Sequence, residues 1–216
     1  MANIKRTSLI TLMDIATSGL PDDEYKEKWS LEISSKSSRY IKSIVTKAQM
    51  IGIRLAQTRG MAANIDMDNS VIHIFVESDP CVNVENLNHL FSYIQFRSID
   101  ISKFEIENLT DLSRWFLGCY KLKEVKFNRN TDFSRVKSVY KMFADCTELR
   151  KVDLSFANFD SLENADMAFF NCSKLESVSV NRSFRPYSAD GIFDLCGHRH
   201  ELALEMSRNT GIVLAI

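Results

Sequence analysis

A repeated pattern constrains the fold of this chain more than any other feature of its sequence. The pattern F-x-x-C-x-x-L-x-x-V-x-(apolar) has five copies, which begin at Leu90, Phe116, Phe143, Phe169 and Phe193. Tyr93 replaces cysteine in the first copy, and Arg199 replaces leucine in the last. The starts are 26, 27, 26 and 24 residues apart. Self-similarity at such a period predicts a repeat protein, in which stacked copies bury one another's apolar faces.

The apolar period changes within each copy. Leu112, Trp115 and Cys119 recur at three- and four-residue steps, which predicts one face of a short helix. The period then becomes two, as in Val125-x-Phe127, which predicts a short strand with one buried face. The last copy places Leu202 and Leu204 at its strand positions. Each repeat is therefore expected to contain one short helix and one short strand.

Two segments resemble the BspA-type leucine-rich repeat of bacterial and mycoplasma surface proteins. Residues 99–119 read I-D-I-S-K-F-E-I-E-N-L-T-D-L-S-R-W-F-L-G-C, and residues 152–162 are similar to the L-D-L-S-x-F-D segment of that family. The resemblance covers roughly residues 86–206. It implies an α/β fold, a leucine-rich-repeat-like solenoid with strands on one face and short helices on the convex side. It also implies binding as the usual role.

The N-terminal part of the chain is predicted to cap this solenoid with helices. We expect a helical cap over residues 1–65 and the solenoid over residues 66–216, because terminal repeats need a polar cover. The strongest helix signal runs from Ser34 to Thr58. The first strand is expected at residues 71–76, since Ile72 and Ile74 lie 27 residues before Ile99 and Ile101.

The predicted helix over residues 34–58 is basic, with no acidic residue between Ile33 and Ile65. Such a helix can contact nucleic acid or an anionic membrane surface. The structural interpretation is a helix that packs its apolar side on the repeats and keeps its basic side in water. Residues 66–112, which hold nine acidic and two basic residues, would then neutralise its charge. A nucleic-acid-associated protein is the second functional hypothesis, with anionic contacts at Lys36, Arg39, Lys42, Lys47 and Arg54.

The sequence offers little catalytic chemistry. Four of the five cysteines occupy one repeat position, which predicts small buried side chains in place of nucleophiles. No phosphate-binding, dinucleotide, zinc-protease or serine-hydrolase motif occurs. Cys196, His198 and His200 are the densest group of metal ligands, and they support a third hypothesis of a metal or hydrolytic enzyme. We expect no enzyme activity, no cofactor and no metal.

Binding is expected at the outward-facing strand residues and the loops at their rim. Alternating charge on the strand face of a solenoid suits a protein partner, whose identity the sequence does not reveal. The leading hypothesis is an adaptor, an inhibitor or an assembly component, with a virus-particle protein as an alternative. The candidate partner-binding residues are Asp100, Glu124, Lys126, Asn128, Lys151, Asp153, Ser179 and Asn181.

Bulk properties exclude several classes of protein. The formal net charge is −1, so no global field favours nucleic acid or membrane. The N-terminus lacks the features of a signal peptide, and no apolar run approaches the roughly 20 residues of a membrane span. A cytoplasmic location is expected. The apolar tail at residues 211–216 is predicted to form a closing strand or to contact another chain.

Overall fold

The computed structural model describes residues 29–36, 56–58, 61–66, 70–77 and 89–214. These residues form eight strands and one helix: β1 (Ser30–Lys36), β2 (Ala56–Thr58), β3 (Met61–Asp66), β4 (Val71–Glu77), β5 (Ser98–Lys103), β6 (Glu124–Lys126), β7 (Lys151–Leu154), β8 (Ser177–Val180) and α1 (Arg199–Thr210). The strands predicted around Ile72, Ile99, Val125, Val152 and Val178 are confirmed as β4 to β8. The chain divides into two compact units. The first comprises Met1–Glu85, Phe96–Glu107 and Val125–Asn128, and the second comprises Asn86–Gln95, Asn108–Glu124 and Arg129–Ile216.

A six-stranded sheet in the order β2-β3-β4-β1-β5-β6 organises the first unit. β1 pairs in parallel with β4 on one side and with β5 on the other. β2, β3 and β4 pair antiparallel. One face of the central strands is apolar and fully buried, with Leu31 paired to Ile72 and to Ile99. Residues on this face alternate with polar residues, as a half-buried sheet requires.

The helical prediction for residues 1–65 is wrong wherever the structure describes that segment. β1, β2 and most of β3 lie within it. The predicted helix from Ser34 to Thr58 therefore begins and ends in strand residues, while its middle lies outside the described residues. The reason is local: Leu31 and Ile33 alternate with polar residues, and both are buried between two strands that are distant in sequence. The domain boundary at residue 65 stays a prediction.

In the second unit, hydrogen-bonded turns occupy the places where short helices were expected. Within residues 112–119, Cys119 N–H donates to Phe116 O in the same turn, whereas Phe116 N–H donates to Met142 O in the next repeat. Arg114 and Gly118 have φ values of 59° and 71°, which a right-handed helix does not allow. We call the stacked turns at residues 89–94, 112–119, 139–146, 165–172 and 189–196 the turn ladder. Hydrogen bonds between repeats therefore take the place of the hydrogen bonds within a helix. The period of apolar residues does not distinguish the two arrangements.

Phenylalanine rings stack from repeat to repeat inside the turn ladder. Successive ring centroids are 5.2, 5.0, 5.5 and 5.6 Å apart, and the planes differ by at most 19°. All five rings are buried. This phenylalanine spine consists of Phe91, Phe116, Phe143, Phe169 and Phe193.

The spine corrects the predicted start of the first repeat by one residue. Phe91, and not Leu90, stacks on Phe116 and donates its N–H to Trp115 O. Tyr93 therefore corresponds to Gly118 of the next repeat, and both have positive φ. The tyrosine is exposed and does not replace a buried cysteine. Leu90 is also buried, so apolarity alone did not distinguish the two registers.

The last repeat ends in α1, where the sequence pattern predicted a strand at Leu202 and Leu204. Leu202 and Met206 are buried four residues apart on one face of this helix, whereas Leu204 is exposed. The helix lies beside β8 and ends at Gly211, whose N–H donates to Ser207 O with φ 77°. Residues 211–214 form no strand, so the closing strand predicted there is absent from the described tail.

Candidate functional site

The candidate site is the polar face of the six-stranded sheet in the first unit. Glu32 on β1 lies in register with His73 on β4 and with Asp100 on β5. Residues in register share a face, and this face is opposite the buried one formed by Leu31 and its neighbours. Lys126 on β6 belongs to the same row because its ammonium group lies beside the Asp100 carboxylate. We call His73, Glu32, Asp100 and Lys126 the strand row.

The strand row is held together by two electrostatic contacts. The His73 Nδ1 and Glu32 Oε2 atoms are 3.0 Å apart, and the Lys126 Nζ and Asp100 Oδ2 atoms are 3.9 Å apart. These side chains stay partly in water, with 44% of the Glu32 side chain and 56% of the Lys126 side chain exposed. Exposed pairs of this kind contribute little to stability, typically about 0–1 kcal/mol. Their charges remain accessible to a partner.

Hydroxyl groups and an aromatic ring extend this polar face along the strands. Ser98 Oγ donates to Ser30 Oγ over 2.7 Å, linking β5 to β1. On β4 the Phe75 ring lies parallel to the His73 ring, with centroids 6.2 Å apart. The face therefore offers charges, hydroxyl groups and a pair of flat rings side by side. A polypeptide partner can use all three.

The second unit carries a shorter polar strand face on β7 and β8. Asp153 lies in register with Ser179, and Lys151 with Ser177. Lys151 and Asp153 are exposed, and they alternate with Val152 and Leu154, which are buried. Glu124, which opens β6, is exposed as well. The structure thus places Lys151, Asp153 and Ser179 on one face; their binding role stays a prediction.

Some candidate binding residues hold the strand ends in place. Asp100 Oδ1 accepts hydrogen bonds from Ser102 N–H and Oγ, and Asp153 Oδ1 makes the same two bonds with Ser155. Arg129 reaches the other oxygen of Asp153, 2.6 Å away. The hydrogen bonds from Ser155, with a contribution from Arg129, lower the pKa of Asp153.

Asn128 and Asn181 have a structural role of their own. Asn181 Nδ2 donates to Ala157 O over 2.8 Å, and Asn128 Nδ2 donates to Phe104 O over 3.2 Å. Each amide bridges to a carbonyl group 24 residues earlier in the chain. These asparagines connect consecutive repeats, so their side-chain donors are already occupied.

A family model matches residues 64–182, more than half of the chain, and its description is "Mycoplasma protein of unknown function, DUF285". The chain belongs to the DUF285 family. Searches of curated proteins and of solved structures found no match. The DUF285 match includes His73, Asp100 and Lys126 of the strand row, but it begins after Glu32. One member of the row therefore comes from outside the matched residues.

The basic residues proposed for anionic contacts are largely outside the described part of this DUF285 member. Lys36, the last residue of β1, is described, and the structure places it in a strand. Arg39, Lys42, Lys47 and Arg54 lie outside the described residues. The nucleic-acid hypothesis therefore stays a prediction.

The predicted metal ligands of the last repeat are not brought together around one point. Cys196 is buried and its Sγ donates to Phe169 O, whereas His198 and His200 are exposed at the start of α1. No group of three or more His, Cys, Asp or Glu side chains among the described residues is arranged to hold a metal ion. In the same part of the DUF285 chain, no helix has the length and apolarity needed to cross a membrane.

Sequence reasoning missed Glu32 as a site residue because it assigned that segment to a helical cap. The missed signal is the alternation in Leu31-Glu32-Ile33, which places a carboxylate between two buried residues. Its pairing with His73 and Asp100 depends on long-range contacts and cannot be read from spacing.

Proposed function

We propose that this chain is a non-enzymatic scaffold for protein–protein interaction, with a BspA-type leucine-rich-repeat-like solenoid as its architecture. The partner would bind across the strand face, with the strand row at the centre of the contact. The observation that supports this most is the asymmetry of the sheet. One face buries Leu31, Ile72 and Ile99 completely, and the opposite face presents charged side chains that are partly in water.

The order of charges along the strand row favours recognition of a protein segment. In the order of the strands, the carboxylates of Glu32 and Asp100 are neighbours, with His73 on one side of them and the Lys126 ammonium group on the other. A surface with a defined order of charges selects partners by complementarity and rejects those with the reverse pattern.

The test is a polarity swap that preserves the ion pair. Wild-type protein and the double variant Asp100→Lys/Lys126→Glu are used to capture proteins from a native lysate, with identification by mass spectrometry. The swap keeps the net charge and again places opposite charges at the two positions, but it reverses the pattern that the partner meets. Because it also removes the hydrogen bonds from Ser102 to Asp100, the thermal unfolding of the variant is first compared with that of the wild type. We expect at least one protein enriched by the wild type to be lost with the variant.

The matched control is the swap Lys137→Glu/Glu163→Lys. This ion pair, 3.0 Å between Nζ and Oε1, is also exposed but lies outside the strands. The control should capture the same proteins as the wild type. Equal capture by the wild type and by the Asp100/Lys126 swap would exclude the strand row as the main contact.

A further inference from the structure

The turn ladder of the second unit contains a basic cluster that its own acidic side chains do not neutralise. The Arg114 guanidinium carbon is 4.9 Å from the centre of the Tyr140 ring, and Lys141 Nζ is 5.3 Å from the same point. All three side chains are partly exposed. Two cations thus converge on one tyrosine.

Equivalent turn positions bring the two cations together. Arg114 and Lys141 occupy the same place in consecutive turns, with φ values of 59° and 52°. Arg114 N–H donates to Tyr140 O, which fixes the two turns side by side. The cluster is therefore built on hydrogen-bonded backbone, so its geometry is organised before any ligand arrives.

Carboxylates of neighbouring repeats pair with several basic residues of this unit, but not with the cluster. Among the described residues, neither Arg114 nor Lys141 lies within ion-pair distance of a carboxylate. Four other basic side chains each meet a carboxylate of a neighbouring repeat, in the pairs Arg129–Asp153, Lys137–Glu163, Arg150–Glu176 and Lys174–Glu148.

The next turn explains why the cluster lacks such a partner. The position equivalent to Arg114 and Lys141 in that turn is Met167, which has no charge. Asp166 precedes it, but its Oδ1 atom accepts hydrogen bonds from Ser188 Oγ and Asp190 N–H. The Asp166 carboxylate therefore bonds to Ser188 and Asp190, and it forms no ion pair with Arg114 or Lys141.

We propose that Arg114, Tyr140 and Lys141 form a binding site for a carboxylate of an acidic protein segment. A guanidinium group can donate two parallel hydrogen bonds to a carboxylate, and a nearby ammonium group adds a third donor. Both cations lie within cation–π distance of the tyrosine ring, which also offers a hydroxyl group. Carboxylates are also the groups that the paired basic residues of this unit select. The site shares no residue with the strand row, and it extends the scaffold proposed above to a second contact.

The experiment measures binding of a fluorescent oligoglutamate peptide to the full chain by anisotropy at low ionic strength. Arg114→Asn and Lys141→Asn remove one charge each, and asparagine tolerates the positive φ at both positions. We expect each variant to weaken binding by about tenfold or more, as for a lost hydrogen bond to a charged group. Arg114→Lys, which keeps the charge, should bind within a few-fold of the wild type.

A control variant separates the site from general attraction. Lys137→Gln removes the same charge from a residue that already pairs with Glu163, and it should leave peptide affinity unchanged. Equal weakening by Lys137→Gln and Arg114→Asn would overturn the proposal, as would unchanged binding by both asparagine variants. A competition arm uses inorganic phosphate. If phosphate displaces the peptide when its concentration equals that of the peptide carboxylates, the assignment to a carboxylate is overturned.

Discussion

Cys146 Sγ donates a hydrogen bond to the backbone carbonyl oxygen of Phe116, 3.1 Å away in the preceding repeat. The same bond, from a cysteine to a phenylalanine of the spine one repeat earlier, recurs at three other cysteines. The cysteine side chain at this repeat position therefore donates a hydrogen bond and also fills a small apolar space. The equivalent bonds join Cys119 to Phe91, Cys172 to Phe143 and Cys196 to Phe169.

Replacing Cys146 tests whether volume or hydrogen bonding selects this residue. Cys146→Ala should lower the free energy of unfolding by about 1–2 kcal/mol, because it leaves a small cavity and removes the donor. Cys146→Ser keeps a donor and should lose less than the alanine variant. Chemical denaturation of both variants provides the measurement. The reverse order, with alanine more stable than serine, would show that the site needs only apolar volume.

The buried thiols are expected to be unreactive in the folded protein. Burial raises the pKa of Cys119 to about 12 and that of Cys196 to about 11, and it raises the pKa of Cys146 and Cys172 as well. Since the thiolate is the reactive form, an aromatic disulfide reagent at pH 8 should label these four only after denaturation. A Cys81→Ser background removes the remaining thiol. Rapid labelling of the folded variant would contradict the buried arrangement.

The same raised pKa values predict alkaline sensitivity. A thiol whose folded pKa exceeds its usual 9.0 contributes stability that is fully present below that pH. The contribution is lost as pH rises through the folded pKa, because the unfolded chain then releases protons that the folded chain still holds. Unfolding free energy should therefore decrease from pH 9.0 upward. Denaturant midpoints at several alkaline pH values measure it, with the Cys119→Ala variant expected to show a shallower decline.

Leu195 is a residue whose replacement should stabilise the protein. Its φ of 61° is in the left-handed region, which is unfavourable for leucine. Because 65% of the residue is exposed, burial of the side chain does little to offset that cost. Left-handed backbone costs a residue such as leucine roughly 1–2 kcal/mol, whereas asparagine tolerates it. Leu195→Asn should raise the unfolding free energy by up to about 1 kcal/mol. Leu204→Asn, in α1, is the control and should not raise the unfolding free energy. If both variants are stabilised, the cause is the replacement of an exposed leucine by a polar residue and not the backbone conformation.

Asn181, which directly follows β8, should matter for stability more than its choice as a candidate partner-binding residue suggests. Its amide donates to Ser155 O and Ala157 O, and its Oδ1 atom accepts from the N–H and Oγ of Ser183. Asn181→Ala removes all four bonds and should cost about 1–3 kcal/mol in thermal or denaturant unfolding. Ser179→Ala on β8 is the control and should stay within about 0.5 kcal/mol of the wild type. If both variants change the unfolding free energy by a similarly small amount, Asn181 has no special structural role and stays a candidate partner-binding residue.

The sequence by itself determined the repeat period and the strands within it. Period-two segments around Ile72, Ile99, Val152 and Val178 became strands, because alternate burial leaves a direct trace in local sequence. The cysteines were correctly predicted to be buried at four positions for the same reason.

Tertiary structure decided the pairing and the form of the turns. The insertion of β1 between β4 and β5 adds Glu32 to the strand row, and it joins strands that are far apart in the chain. Turns replaced the expected short helices because their N–H groups bond to the next repeat, and a three- or four-residue period fits either arrangement. The clustering of Arg114 with Lys141 arises in the same way. Local sequence specifies which residues are buried, whereas hydrogen bonds between distant segments specify which exposed residues meet.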